Sequence, residues 1–194
     1  MRERGAELIL VSSGAIATAI PFLDLGERPN DLASQQAAAA VGQNVLMWRY
    51  QNSLDRHSVL AGQILLTAGD LENPTPRSNA RRAIERLLDL SVLPIVNEND
   101  TVATQEIRFG DNDRLAALVD QAAAAQGVIL LSDVDGLYTA NPSRDPGATL
   151  VPEVTRLDAR VRAMADGGSA SGMGSGGMVS KLEAARIATS AGAH

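Results

Sequence analysis

Two clusters of acids and amides are the residues of this chain best suited to chemistry: Asn97-Glu98-Asn99-Asp100 and Gly110-Asp111-Asn112-Asp113. Carboxylates accept from cationic donors, while amides both donate and accept. The natural guest of such a pair is a small polar substrate. Asn, Asp and Gly are also the ordinary residues of turns and caps. Two clusters so close together, the first directly off an apolar run, favour a site over a pair of turns. A calcium loop is a poor fit, because the twelve-position pattern with its closing Glu is absent. A third candidate is Lys181, at the end of the segment Asp166 to Lys181, DGGSASGMGSGGMVSK. This segment holds six glycines in its first twelve residues and runs directly into the helix-like KLEAARIATSAG. Glycines let backbone amides converge, and a helix start adds a positive dipole end. A lysine there is intrinsically unfavourable, and an anion held between amides and ammonium would resolve the conflict. The Walker pattern GxxxxGK[ST] is absent, and the segment does not follow a strand as a dinucleotide fingerprint would. The same composition suits a Gly/Ser linker; the lysine and helix that follow favour a phosphate cradle.

Elements must carry these residues to one place. Val92, Leu93, Ile95 and Val96 read as a buried strand that ends at the first cluster. Ala103 to Phe109 reads as a short hairpin excursion. Arg114 to Ala125 reads as a helix, with Asp111 or Asn112 as its N-cap. Glu7 to Ser13 and Ser58 to Thr67 are further strands, and Gly127 to Val134 is an apolar run of the buried-strand type ending at Ser132-Asp133. Gly14 with Ser12 and Ser13 would let a ligand approach the backbone or simply turn the chain into a helix over Ala15 to Leu25. Ser34 to Leu54 reads as a long helix, in which Gly42 suggests close packing or ligand approach, and Trp48 and Tyr50 read as packing residues. Gln63 and Thr67 would face a site or be satisfied internally. Asp70 to Pro76 reads as a loop, and Ser78 to Leu90 as an amphipathic helix with a solvated face of Arg77, Arg81, Arg82 and Arg86. Leu157 to Ala165 reads as a short helix. Strands alternating with helices predict an α/β fold with a mostly parallel sheet covered on both faces. In such sheets ligands bind outside the carboxyl ends of the strands.

The totals set bounds. A chain of 194 residues, 45% hydrophobic but only 3% aromatic, must build its core from Leu, Ile, Val and Ala. With 17 Lys plus Arg against 23 Asp plus Glu, the net charge of -6 argues against a nucleic-acid surface, though a nucleotide needs only a local cradle. Zero cysteines exclude disulfides and thiolate metal sites, and two histidines make a histidine metal cluster implausible. Neither a signal peptide nor a long apolar run is visible, so a cytoplasmic protein away from membranes is expected.

Five motifs occur in order: Val11-Ser12-Ser13-Gly14-Ala15-Ile16, Asn97-Glu98-Asn99-Asp100, Gly110-Asp111-Asn112-Asp113, Ser132-Asp133-Val134-Asp135-Gly136-Leu137-Tyr138-Thr139, and Gly176-Gly177-Met178-Val179-Ser180-Lys181. Together they resemble the amino-acid kinase family along essentially the whole chain, and in particular its branch that phosphorylates the γ-carboxylate of L-glutamate on the way to proline. The resemblance implies a three-layer α/β/α sandwich with a mostly parallel central sheet. It implies that Ser13, Asp100 and Asn112 bind glutamate, with Asn97 and Asp111 nearby. Ser132 and Asp133 would contact ATP. Ser175, Gly176, Gly177, Met178, Val179, Ser180 and Lys181 would close over its phosphates. Lys181 would stabilise the transferring phosphoryl group, Asp113 would orient the catalytic lysines, and Mg2+ would arrive with the nucleotide without a protein ligand. A homo-oligomer and feedback inhibition by proline are implied as well.

By the same resemblance, residues 1–194 are expected to be a single kinase domain that lacks the family's first strand, with its lysine, and its C-terminal strands. Losing one charge-stabilising cation costs about 10²–10³ in rate, so weak or absent activity of this piece alone is expected. Two alternatives stay open: a kinase of another acid or of a nucleotide in the same superfamily, or a non-catalytic module that binds glutamate or proline. The acid-amide composition of the substrate cluster, with Arg108 and Arg114 flanking it, favours an ammonium-bearing substrate.

Overall fold

The computed structural model describes residues 4–103, 112–165 and 177–194. The chain divides into two compact units, Met1–Asn112 and Asp113–His194.

The first unit is built on a three-stranded parallel sheet of β1 (Leu10–Val11), β2 (Ala61–Leu66) and β3 (Leu93–Glu98), in the order β1-β3-β2. β3 is central: Leu10 lies opposite Ile95 on one side, and Gln63 opposite Ile95 on the other. Flanked on both edges, β3 buries Pro94 to Glu98, and Ile95 and Val96 are 0% exposed. The long helix α2 (Leu32–Asp55) is started by Asp31, whose carboxylate accepts from the Ser34 amide. That bond holds the Asp31 carboxyl below its usual range. Helix α4 (Pro74–Asp89) packs on the other side of the sheet. Strand alternation settles this arrangement. Gly62 abuts the Leu87 side chain of α4, while its neighbour Gln63 shares a cavity wall with Gln43 of α2. Helix, sheet and helix thus form three layers in this unit, the α/β architecture expected.

The short helix α1 (Ala15–Ala19) follows β1 through Gly14, whose φ of 90° is a left-handed conformation that suits glycine. α1 crosses α2 at Gly42, where a Cβ would lie 1.8 Å from the Ala15 carbonyl oxygen. Gly42 therefore serves close packing. Ile16 and Ala19 from α1 meet Ala38 and Ala39 from α2 in a small-residue core.

Several expectations need correction. Only Leu10–Val11 of the first predicted strand pairs, although the Ser12 amide adds one more bond to the Val96 carbonyl, at 2.8 Å. The helix expected over Ala15 to Leu25 is α1 plus a single 3-10 turn, Ile20–Phe22, around Pro21. The loop expected over Asp70 to Pro76 is instead helical. Thr67 and Asp70 form a reciprocal cap that starts α3 (Ala68–Glu72), and Asn73 caps α4 with Pro74 in its first turn, where a missing amide hydrogen costs nothing. Trp48 is 64% exposed rather than packed. α2 buries Ala38, Ala39, Gly42 and Gln43, and Trp48 lies on the other side of the helix. The arginine face of α4 is solvated as expected, with Arg81 paired to Glu85 and Arg86 to Asp89.

In the second unit α5 (Asn112–Ala123, its first residue shared with the first unit) and α7 (Met178–Ser190) supply a core of Ala117, Ala184, Ile187, Ala188 and Ala193. The short helix α6 is Ala159–Ala165. Gly127 to Val134, expected as a buried strand, is not one: Ile129 and Leu131 are 68% and 81% exposed. The described backbone bond of this run joins it to His194, from the Val128 amide to the His194 carbonyl at 2.8 Å, and just before the run the Gln126 carbonyl accepts from the His194 amide at 3.1 Å. Leu137 to Pro142 is loop as expected, tied by one antiparallel bridge between Tyr138 and Leu150.

Candidate functional site

Parallel pairing brings the carboxyl ends of all three strands to one edge of the first unit. A cavity of about 230 Å³ opens there, between the end of β3, the edge strand β2 and α2. That is smaller than the ~300–1,000 Å³ of drug-sized pockets, so it suits a small metabolite. Its walls carry two carboxylates, Glu98 and Asp100, four amides, Gln43, Asn44, Gln63 and Asn99, and the Thr101 hydroxyl. Among the described lining residues there is no lysine or arginine. Such a wall offers negative charge and amide donors, a complement to a ligand with an ammonium group and a carboxylate.

Asp100 thus lines the cavity. Asn97 does not line it. Buried to 2% exposure, Asn97 donates from Nδ2 to Gln43 Oε1 at 2.7 Å and acts as a support behind the wall. Gln63 faces the cavity, whereas Thr67 is consumed by its bonds with Asp70. Ser13 is exposed just beyond β1, outside the described cavity wall, and its neighbour Ser12 is buried with its hydroxyl 2.9 Å from that of Tyr50. Asn112 opens α5 half-buried, and its Oδ1 is enclosed without a donor among the described residues. Asp111 and the predicted hairpin from residue 104 onward lie outside the described residues.

In the second unit Lys181 Nζ donates to Asp113 Oδ2 at 2.9 Å, with both side chains less than a fifth exposed. Each sits in the first turn of its helix, Asp113 in α5 and Lys181 in α7. A carboxylate is favoured at a helix start and an ammonium is not, so the pair resolves the conflict read from the sequence. Gly177 caps α7 without a side chain, which leaves the amides of its first turn available to an anion. Ser180 turns its hydroxyl back to the Gly177 carbonyl at 2.8 Å. Ser175 and Gly176 lie outside the described residues. Ser132 and Asp133 are exposed in a turn, where the Val134 amide donates to Ser132 Oγ at 3.4 Å. Farther along α7, Glu183 is held below the usual carboxylate range by its bonds to Arg186.

Gln43 and Asn44 escaped the sequence reading. A signal was available: Gln43 lies four residues after Ala39 and beside Gly42, so it shares their buried side of the helix and is a polar residue where apolar ones belong.

The model of the amino acid kinase family matches residues 1–194. The chain is 61% identical over 189 residues to a glutamate 5-kinase of Leifsonia xyli subsp. xyli, covering 97% of this chain and 70% of that protein. It is 61% identical over 192 residues to one of Clavibacter michiganensis subsp. michiganensis, covering 99% and 73%. A glutamate 5-kinase of Sphingopyxis alaskensis is 56% identical over 191 residues, which are 98% of this chain and 52% of that protein.

Proposed function

This chain belongs to the amino acid kinase family, and from that premise we propose that it is the kinase portion of a glutamate 5-kinase, which moves the γ-phosphoryl group of ATP to the γ-carboxylate of L-glutamate. The observation that carries the reading is the cavity at the end of β3, with carboxylates and amides on its wall and no cation among its described lining residues. That composition favours an acid that bears an ammonium over a nucleotide or a simple dicarboxylate.

The chemistry asks little of an acid or base, because a carboxylate is already a nucleophile. One γ-carboxylate oxygen forms a bond to the γ-phosphorus as the bond to the β,γ-bridging oxygen breaks, and ADP leaves with that electron pair. Two anions must be brought into line while the charge on the transferring group is neutralised. In this reading Asp100 takes the substrate ammonium, and Ser13, Asn112 and Asp111 complete its shell. Ser132 and Asp133 take the nucleotide. The amides of α7's first turn, with the glycines before it, take the phosphates. Lys181, aimed by Asp113, meets the charge of the moving phosphoryl group. The described residues contain no group of three or more metal-ligating His, Asp or Glu side chains. Magnesium would arrive with the nucleotide and would supply further charge neutralisation. No described helix is long and apolar enough to cross a membrane, and a cytoplasmic location belongs to the same proposal. A homo-oligomer and inhibition by proline are further parts of the proposal.

Lys181→Met tests it. Glutamate-dependent ADP release should fall about 10²–10³-fold in kcat, while the KM for glutamate holds within about twofold. A kcat within about threefold of the parent would contradict the reading.

A further inference from the structure

Gln43 is 8% exposed, lines the acid-amide cavity, and is half-satisfied. Its Oε1 accepts from buried Asn97 at 2.7 Å, which fixes the amide's orientation. Its Nε2 is enclosed and has no acceptor among the described residues. A buried donor left unmade is costly, and an apolar side chain on this buried side of α2 would avoid that. The donor makes sense if a ligand supplies the acceptor. The cavity's own carboxylates, Glu98 and Asp100, are the groups for an ammonium, and the substrate's carboxylate needs N–H donors in a wall without described cations.

We propose that Gln43 is a specificity-determining residue, donating from Nε2 to a carboxylate oxygen of the amino-acid substrate, with Asn97 as the positioning residue that locks its amide. The inference rests on the glutamate reading above and deepens it. It gives the Asn97-to-Gln43 bond a purpose: without it the amide is free to flip and present an oxygen to the substrate's oxygen.

Calorimetric titration of the full chain with L-glutamate and, separately, with ATP-magnesium tests it on the parent, Gln43→Met and Gln43→Glu. Met keeps the length and removes the donor; Glu keeps the shape and substitutes a negative charge. Glutamate affinity should fall about tenfold in Gln43→Met and at least about 100-fold in Gln43→Glu, with ATP affinity within about twofold of the parent in both. Unchanged glutamate affinity in Gln43→Met overturns the inference. So does a parallel loss of both ligands, which marks a merely structural role. If one variant fails to fold, the other decides by the same ratio of affinities. A parent that binds ATP but no glutamate overturns the glutamate reading itself and takes this inference with it. A parent that binds glutamate as Gln43→Met does leaves that reading standing and overturns the inference alone.

Discussion

Two apolar runs in this chain have nearly the same composition and opposite fates. Leu93–Glu98 lies between two parallel neighbours and is buried almost throughout. Gly127 to Val134 has Ile129 and Leu131 in the open and one described backbone–backbone bond, from the Val128 amide to the His194 carbonyl. β-strand character is relational: the side chains state that a segment can be buried, and its neighbours decide whether it is. The difference carries through to the polar residues that follow each run. Asn97 is held inside a bonded layer and supports Gln43, whereas the described bonds of Ser132 and Asp133, in a turn, are local. A scaffolded cavity is therefore expected in the first unit, and a site whose ligand must do more of the ordering in the second.

Truncating the two runs gives the largest contrast. Ile95→Ala should cost about 2–5 kcal/mol, because a fully enclosed side chain leaves a cavity. Ile129→Ala should stay within about 0.5 kcal/mol. Denaturant melts of both variants read this directly, and equal costs would erase the distinction.

A pair of glycines gives a smaller one. At Gly42 an added Cβ meets the Ala15 carbonyl at 1.8 Å; at Gly127 it meets the His194 carbonyl at 3.1 Å. Gly42→Ala must push two helices apart and should cost about 2–3 kcal/mol. Gly127→Ala needs a shift of a few tenths of an ångström and should cost under about 1 kcal/mol. Thermal melts would show whether the order holds.

The buried polar groups give the smallest. Asn97 has its partner, but Asp120 of α5 is buried with both carboxylate oxygens unpartnered among the described residues. Burial raises its pKa above the ordinary 3.8. The folded state therefore binds this proton more readily than the unfolded one. Ionisation above the raised value destabilises the fold, and that penalty is relieved as pH falls through it towards 3.8. Asp120→Asn should gain about 1 kcal/mol at neutral pH and lose this pH dependence. Melting temperatures followed from neutral to mildly acidic pH check the sign: a variant less stable than the parent at neutral pH would show that the carboxylate has a partner after all.

The contrast also explains what the sequence alone could reveal. β3 was legible because Ile95 and Val96 sit in an apolar, β-branched run that ends at a polar cluster, and Lys181 because it carries charge near a helix start, whereas its link to Asp113 came only through the family resemblance. Thr67 and Asp70 were read as strand end and loop because a reciprocal cap depends on side-chain geometry, not composition. Trp48 misled because an aromatic on a long helix suggests packing, while the crossing at Gly42 chose the other side. Gln43 was missed because its role depends on a partner, Asn97, that lies far away along the chain. Gly127 to Val134 misled for the same reason: nothing inside that segment says which strand would lie beside it.

The account turns on a cavity that selects an ammonium-bearing acid. Its most direct test is the affinity of the full chain for L-glutamate beside that for glutarate, which keeps both carboxylates and lacks the ammonium. Glutamate binding at least about 100-fold tighter is predicted, because glutarate brings no cation to a wall that carries two carboxylates. Glutarate binding as well as glutamate, or better, would contradict it.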